Sequence, residues 1–247
     1  MPQSAVYPIN PPAAHRIADE AEALRVAEQV AAILLEQDAE RDRTRQVPAE
    51  IVDLYSNSGL WGITVPEAFG GAQVSSAVLA QVIAIISAAD PSLGQIPQNH
   101  YCLLEDIRLQ GTPQQQAHFF DLALQGHRFA NALSETGGKN VQDIQATIRR
   151  YGDGHVINGR KGYCTGSLYA HWLAVLALDE EQKGQLAFVE RGTPGLVIVD
   201  DWDSMGQRTT SSGTVLAEDL RVAAFNLFPT YRSYENPTLA GPFAQLT

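Results

Sequence analysis

The stretch Asn131–Gln145, NALSETGGKNVQDIQ, decides how this chain is read. Its first residues continue an apolar run, so Phe129–Leu133 reads as a strand. Gly137-Gly138 then forces a turn, and strand-like alternation resumes over Ile144–Tyr151. Upstream, the period is helical. Ala13–Arg41 places Ile17, Leu24, Ala27, Val30, Ala31 and Leu34 on one face, with charges opposite. A helix from Pro48 through Ser58 stops at Gly59, and Leu60–Phe69 reads as an ordered loop. Ser75–Ala89 is an apolar helix ended by Asp90-Pro91. Ser92–Gln110 is helical, with Pro97 expected in its first turn or at a kink. Thr112-Pro113 opens a helix through Leu124 that Gly126 closes. Downstream, the period is two. Asp153-Gly154 and Asn158-Gly159 read as turns on either side of His155–Ile157. Trp172–Leu178, Gln185–Val189, Leu196–Val199 and Thr214–Ala217 follow as strands. Helices followed by strands predict an α+β fold, with a helical domain over 13–127 and a small β-barrel over 128–232. Residues 1–12 read as an extended arm. Thr238–Leu246 begins another helical pattern, so 233–247 is expected to start a further helical domain.

Of 247 residues, 45% are apolar, enough for an ordinary core. The 28 acidic and 17 basic residues give a net charge of −11 with no basic block. Such a surface repels phosphate backbones and anionic lipid, so neither nucleic acid nor membrane is an expected partner. No apolar run approaches the ~20 residues of a membrane helix, and Met1–Pro12 lacks the features of a targeting signal. A cytoplasmic protein is expected. Cys102 and Cys164 are too few for a disulfide framework or zinc site. His100 and Glu105 lie on different helix faces, and no metal is expected. Gly152-Asp153-Gly154 is a turn rather than a dinucleotide fingerprint, since no helix follows. Asp200-Asp201-Trp202-Asp203 reads as a solvated turn, and Thr209-Thr210-Ser211-Ser212 as a loop.

Several segments nevertheless keep a common order. Asn131–Glu135 and its diglycine turn precede Asn158-Gly159-Arg160-Lys161-Gly162-Tyr163-Cys164-Thr165-Gly166. Gly195, Met205-Gly206-Gln207-Arg208 and Glu218–Val222 follow. In this order and spacing the set resembles the acyl-CoA dehydrogenase fold family, from about Ala13 onward. That family usually has a Thr/Ser-Glu-Pro followed by Gly-Ser-Asp, and a Trp on the second flavin strand. Here Ser134-Glu135-Thr136 lacks the proline, the Ser-Asp pair is missing, and the Trp is Tyr163. With Gln95–His100 (QIPQNH), these departures resemble the flavin monooxygenase branch. That branch contains dibenzothiophene monooxygenase and sulfur-acquisition oxidoreductases linked to dimethyl sulfone use.

The resemblance implies reduced FMN supplied by a separate NAD(P)H-flavin reductase. It also implies oxygen transfer from O2 to a small organosulfur compound through a C4a-(hydro)peroxyflavin. An isoalloxazine ring needs polar partners along its pyrimidine edge and a flat apolar surface against its face. Asn131, Leu133, Ser134 and Thr165 are expected on the edge, with Tyr163 stacking. By the same resemblance Thr165 is an expected hydrogen-bond donor in catalysis. His100 is an expected proton donor or substrate contact. Tyr101 and Trp202 are expected to wall the substrate pocket. The family's C-terminal helical bundle, which covers the flavin and builds a homo-tetramer, is not expected within these residues, so this chain alone is expected to bind flavin weakly. Two other readings stay open: an FAD-dependent acyl-CoA dehydrogenase, and a noncatalytic member serving binding or assembly.

Overall fold

The computed structural model describes residues 4–140 and 143–232; the helical pattern at Thr238–Leu246 lies outside them. Six α-helices come first: α1 (Glu20–Leu35), α2 (Asp38–Thr44), α3 (Ala49–Asn57), α4 (Ser76–Ala89), α5 (Pro91–Gln110) and α6 (Pro113–Gln125). Their starts follow local chemistry. The Asp19, Ser75, Asp90 and Thr112 side chains each accept from a backbone N–H of the following first turn. Thr112 and Gln115 form a reciprocal capping box.

The single helix expected over Ala13–Arg41 is two. The break after α1 turns Arg41 inward, where its guanidinium donates to Asp90 Oδ2 at 2.8 and 3.0 Å and to the Leu34 carbonyl. A buried guanidinium needs such partners, and periodicity carries no record of that demand. Pro97 lies inside α5, in its second turn rather than its first.

Eight strands follow: β1 (Phe129–Ala132), β2 (Thr147–Tyr151), β3 (Gly154–Lys161), β4 (Trp172–Leu178), β5 (Gly184–Glu190), β6 (Leu196–Val199), β7 (Thr214–Ala223) and β8 (Leu227–Phe228). They form one sheet, in the order β6-β7-β3-β2-β4-β5-β8 with β1 beside β4. The α+β class holds. The sheet, however, is open between β6 and β8 and does not close into the expected barrel. One edge of β4 is divided between two partners. β1 runs parallel to Trp172–Val175, and β2 touches β4 only at Thr147–Leu178. Residues 133–140 and 143–146 lie outside the sheet at that division.

The expected turn at Asn158-Gly159 is instead a bulge within β3, where the register against β7 shifts between Ile157 and Gly159. Asn158 exchanges two hydrogen bonds with Asp219, at 3.1 and 2.8 Å. A Cβ at Gly159 would lie 2.4 Å from the Ala146 Cβ, so the glycine is there for a close approach.

The helical and sheet parts are joined by aromatic rings. Phe119 of α6 packs against Phe188 of β5 at 4.9 Å, with Phe129 and Phe228 around them. Gln115 of α6 also donates to the Phe225 and Leu227 carbonyls. Truncating Phe119 to alanine should therefore cost about 3–5 kcal/mol in urea unfolding. Phe225→Ala, at a half-exposed ring beside it, should cost only a fraction of that.

Candidate functional site

Two segments converge beside the division of the sheet. The Gly162 N–H donates to the Ser134 carbonyl at 3.0 Å. At the other end, a Cβ at Gly166 would come within 3.8 Å of the Ala130 Cβ, and Gly166 holds a left-handed φ of +78°. These two points bracket residues 130–134 and 162–166 as antiparallel neighbours. The segments that carry Ser134 and Thr165 therefore lie side by side, with Ser134 opposite Gly162. The pairing depends on a small residue at 162, where a Cβ would meet Thr136 Cγ2 at 2.6 Å.

A buried ion pair fixes the convergence. Lys161 Nζ donates to Glu135 Oε1 at 2.6 Å and to the Leu133 carbonyl at 3.1 Å. The Glu135 carboxylate also accepts from the Gln145 and Ala146 amides at 2.8 and 3.0 Å. Burial alone would raise the Glu135 carboxyl. The bonds from Lys161 and the two amides outweigh it and leave the group below the ordinary carboxylate range. One carboxylate thus ties the exit of β1, the entry to β2 and the end of β3.

Asn131 is buried, and its Oδ1 has no hydrogen-bond partner. An orphaned buried acceptor costs about 1–3 kcal/mol, which marks a place where a donor is wanted. A line of hydroxyls begins at Thr165 on the facing segment. Thr165 Oγ1 lies 2.9 Å from Ser212 Oγ, which lies 2.8 Å from Thr210 Oγ1; Thr210 Oγ1 donates to the Gln207 carbonyl at 3.0 Å. The Gln207 carbonyl also accepts from the Thr210 amide and the Trp202 indole N–H, so the Thr210 hydrogen can go to it or to Ser212, and the line can run in either direction. Thr165 Oγ1 can thus accept from, or donate to, a further group.

Tyr163 is 60% exposed and takes φ +55°, an uncommon conformation for a bulky residue. Its ring meets that of Trp202 edge-on at 6.1 Å. The Trp202 indole N–H donates to the same Gln207 carbonyl at 3.1 Å.

His100 and Tyr101 stand elsewhere. His100 is fully buried between α5 and β1; its Nε2 lies 2.9 Å from the Trp61 carbonyl, and its Nδ1 accepts from the Phe129 N–H at 3.1 Å. Both nitrogens are engaged, and burial lowers its pKa to about 3. A neutral, enclosed imidazole supplies no proton and touches no substrate here, so neither expected role fits. It positions the start of β1. Tyr101 donates to the Leu60 carbonyl at 2.8 Å and borders a cleft of about 930 Å³ with Thr64, Leu79, Cys102, Arg108 and Phe120. Trp202 does not line that cleft. The structure pairs Trp202 with Tyr163 rather than with Tyr101.

Sequence reading missed Glu135, Lys161, Thr210 and Ser212 as site-building residues. A hydroxyl run resembles any polar loop until its buried partners are known. No cluster able to hold a metal occurs among the described residues.

Comparison with known proteins places this architecture. Residues 18–127 match the N-terminal domain model of acyl-CoA dehydrogenases, and residues 130–220 match the middle domain model. The chain belongs to the acyl-CoA dehydrogenase family. Among its relatives is the probable FMNH2-dependent monooxygenase SfnC of Pseudomonas putida, 28% identical over 91% of this chain and 55% of its own length. The dibenzothiophene monooxygenase of Rhodococcus erythropolis is 31% identical, over 84% of this chain and 53% of its own length. The crystal structure of FMN-bound TdsC from Paenibacillus sp. A11-2 superposes with a TM-score of 0.81 at 28% identity, covering 86% of this chain and 55% of that one. The chain spans about half the length of the curated relatives it matches.

The buried histidines of this family member make its stability depend on pH. His171 accepts from the Arg128 N–H at 3.0 Å, and burial likewise lowers its pKa to about 3. An unfolded histidine takes up its proton near ~6.5, whereas both folded imidazoles stay neutral until far lower pH. Their contribution is complete above ~6.5 and is lost as pH falls toward about 3. His100→Gln keeps one donor and one acceptor without the titration. It should flatten the stability-against-pH slope below pH ~6 by about one proton, ~1.4 kcal/mol per unit, in urea titrations.

Proposed function

We propose that this chain forms the flavin-gripping part of a reduced-FMN-dependent monooxygenase acting on small organosulfur compounds in sulfur acquisition. The observation that carries the reading is the pair of acceptors, Asn131 Oδ1 and Thr165 Oγ1, where the two segments converge. An orphaned acceptor inside a folded chain suits the N–H groups of an isoalloxazine edge. Leu133 and Ser134 would border that edge, and the exposed Tyr163 ring, steadied by Trp202, would lie against the ring face. These residues fit the group.

Bound reduced FMN supplies the electrons that activate O2. The chain's own part is to bind and orient. The Glu135–Lys161 pair ties the Leu133–Ser134 backbone in place, Thr165 and Asn131 accept, and Trp202 packs edge-on against Tyr163. FMN, an organosulfur substrate and sulfur use are supported by the relatives' own descriptions. A flavin reductase as the source of reduced FMN follows from the same reading, as does a homo-oligomer. No helix among the described residues is long and apolar enough to cross a membrane.

Asn131→Leu separates binding from folding. Removing an unsatisfied buried acceptor should stabilise the flavin-free protein by about 1 kcal/mol, while weakening anaerobic binding of reduced FMN about tenfold. Thermal melts and fluorescence titration measure the two. If wild type binds neither FMN nor FAD, the proposal fails and the binding-or-assembly reading takes its place.

A further inference from the structure

Residues 4–15 precede α1 and form neither helix nor strand, yet they are tied down along their length. Two bonds cover the edge of β6. The Ala5 amide donates to the Ile198 carbonyl at 2.7 Å, and the Ile198 amide donates to Ser4 Oγ at 3.1 Å. β6 ends the sheet, so these bonds stand where a neighbouring strand would pair. Exposure then alternates with a period of two: Ala5, Tyr7 and Ile9 are half-buried, and Val6 is 97% exposed. Farther on, the arm is held by the helical part. Tyr7 donates to the Val47 carbonyl at 2.9 Å, and Asn10 donates to Asp53. The Ala13 amide donates to Asn57 Oδ1 at 3.1 Å, and the Ala14 amide to the Gln125 carbonyl at 3.0 Å. One segment thus holds a sheet edge and the helices at once.

Between those two anchorages the Tyr7 ring meets the ring of Tyr169 edge-on, at 4.9 Å. Tyr169 is buried and stands in a short helical turn, Ser167–Tyr169, directly after the segment 162–166. Three bonds clasp this turn to residues 209–211. The Tyr169 hydroxyl donates to the Thr209 carbonyl at 2.8 Å, the Gly166 amide to the Thr210 carbonyl at 2.8 Å, and Ser167 Oγ to the Ser211 carbonyl at 3.3 Å. Thr165 and Ser212, whose oxygens lie 2.9 Å apart, sit at the margin of the same clasp. We infer that the N-terminal arm is a strap for the candidate cofactor site and that Tyr7 is a positioning residue, acting through Tyr169 on the Thr165 segment. Its effect on flavin rests on the FMN reading above. Without the Tyr7 ring, Tyr169 loses an edge-on contact worth up to about a tenfold change in the clasp's opening equilibrium. Opening of this kind is local, so it precedes unfolding of the sheet.

Native-state hydrogen exchange and anaerobic titration with reduced FMN, both on the purified chain, test the inference together. The Gly166 and Tyr169 amides, which donate to the Thr210 and Gly166 carbonyls, report the clasp, and the amides of β4 report global unfolding. Tyr7→Ala and deletion of residues 1–9 should each speed exchange at Gly166 and Tyr169 about tenfold more than in β4. Each should also weaken FMN binding about tenfold. Tyr7→Phe keeps the ring and should stay within about twofold of wild type in both measurements, as should Val6→Ala on the exposed side of the arm. Tyr169→Phe removes the bond to Thr209 and should weaken FMN binding as well. Adding Tyr7→Ala to it should change the affinity by no more than about twofold, because both act through one contact. Exchange that rises no more at Gly166 and Tyr169 than in β4 would overturn the inference. Unchanged FMN affinity in Tyr7→Ala, or additive losses in the double variant, would overturn it too. Wild type that binds no FMN removes the FMN reading, and the exchange comparison by itself then decides whether the arm holds the clasp. Circular dichroism identifies a misfolded variant, and Tyr7→Leu then takes the place of Tyr7→Ala.

Discussion

The Glu135–Lys161 pair is the constraint on which the rest of the site depends. Both side chains are almost fully buried, at 7% and 2% exposure, so neither charge can be relieved by water. Breaking such a pair from one side leaves an uncompensated charge, worth about 3–5 kcal/mol. The carboxylate also takes two amides from the entry to β2, and the ammonium takes a carbonyl from the exit of β1. Three chain segments therefore converge on one ion pair. The Ser134–Gly162 hydrogen bond sits beside it, and the acceptors Asn131 and Thr165 inherit their placement from the same geometry.

Hydrogen counting organises the remaining polar groups. His100 joins α5 to β1 as a neutral ring that gives one hydrogen bond and receives another. The Thr165, Ser212 and Thr210 hydroxyls form a line that ends at the Gln207 carbonyl. Arg128, at the start of the sheet, donates to the Tyr169 carbonyl, Asp53 and Ser56. These groups cost little where they are satisfied, because folding exchanges one set of partners for another. Asn131 Oδ1 is left without a partner, as are Arg128 Nη2 and Trp172 Nε1.

The family assignment and the site point the same way at different levels. Membership in the acyl-CoA dehydrogenase family rests on two adjacent domain matches. That level says nothing by itself about chemistry, since one fold hosts several reactions. The monooxygenase reading rests on the relatives together with the polar atoms of Asn131 and Thr165. The cleft beside Tyr101 is lined by residues of the helical part alone.

Local pattern determined a great deal of this protein. The stops and caps at Ser75, Asp90, Thr112 and Gly126, and the strands Trp172–Leu178 and Leu196–Val199, follow from residue types a few positions apart. The two motif segments around Ser134 and Thr165 were equally legible, because their glycines and polar residues keep a fixed spacing. Tertiary structure decided the rest. Only packing could show that Asn158-Gly159 is a bulge, since that depends on Ala146, just before β2, and Asp219 of β7. Only burial could turn His100 into a neutral strut, and only the fold could set the buried Thr210 and Ser212 hydroxyls in line with Thr165. Short-range pattern records which conformations a segment can adopt; which hydrogen goes to which lone pair is settled by residues brought together from far apart in the chain.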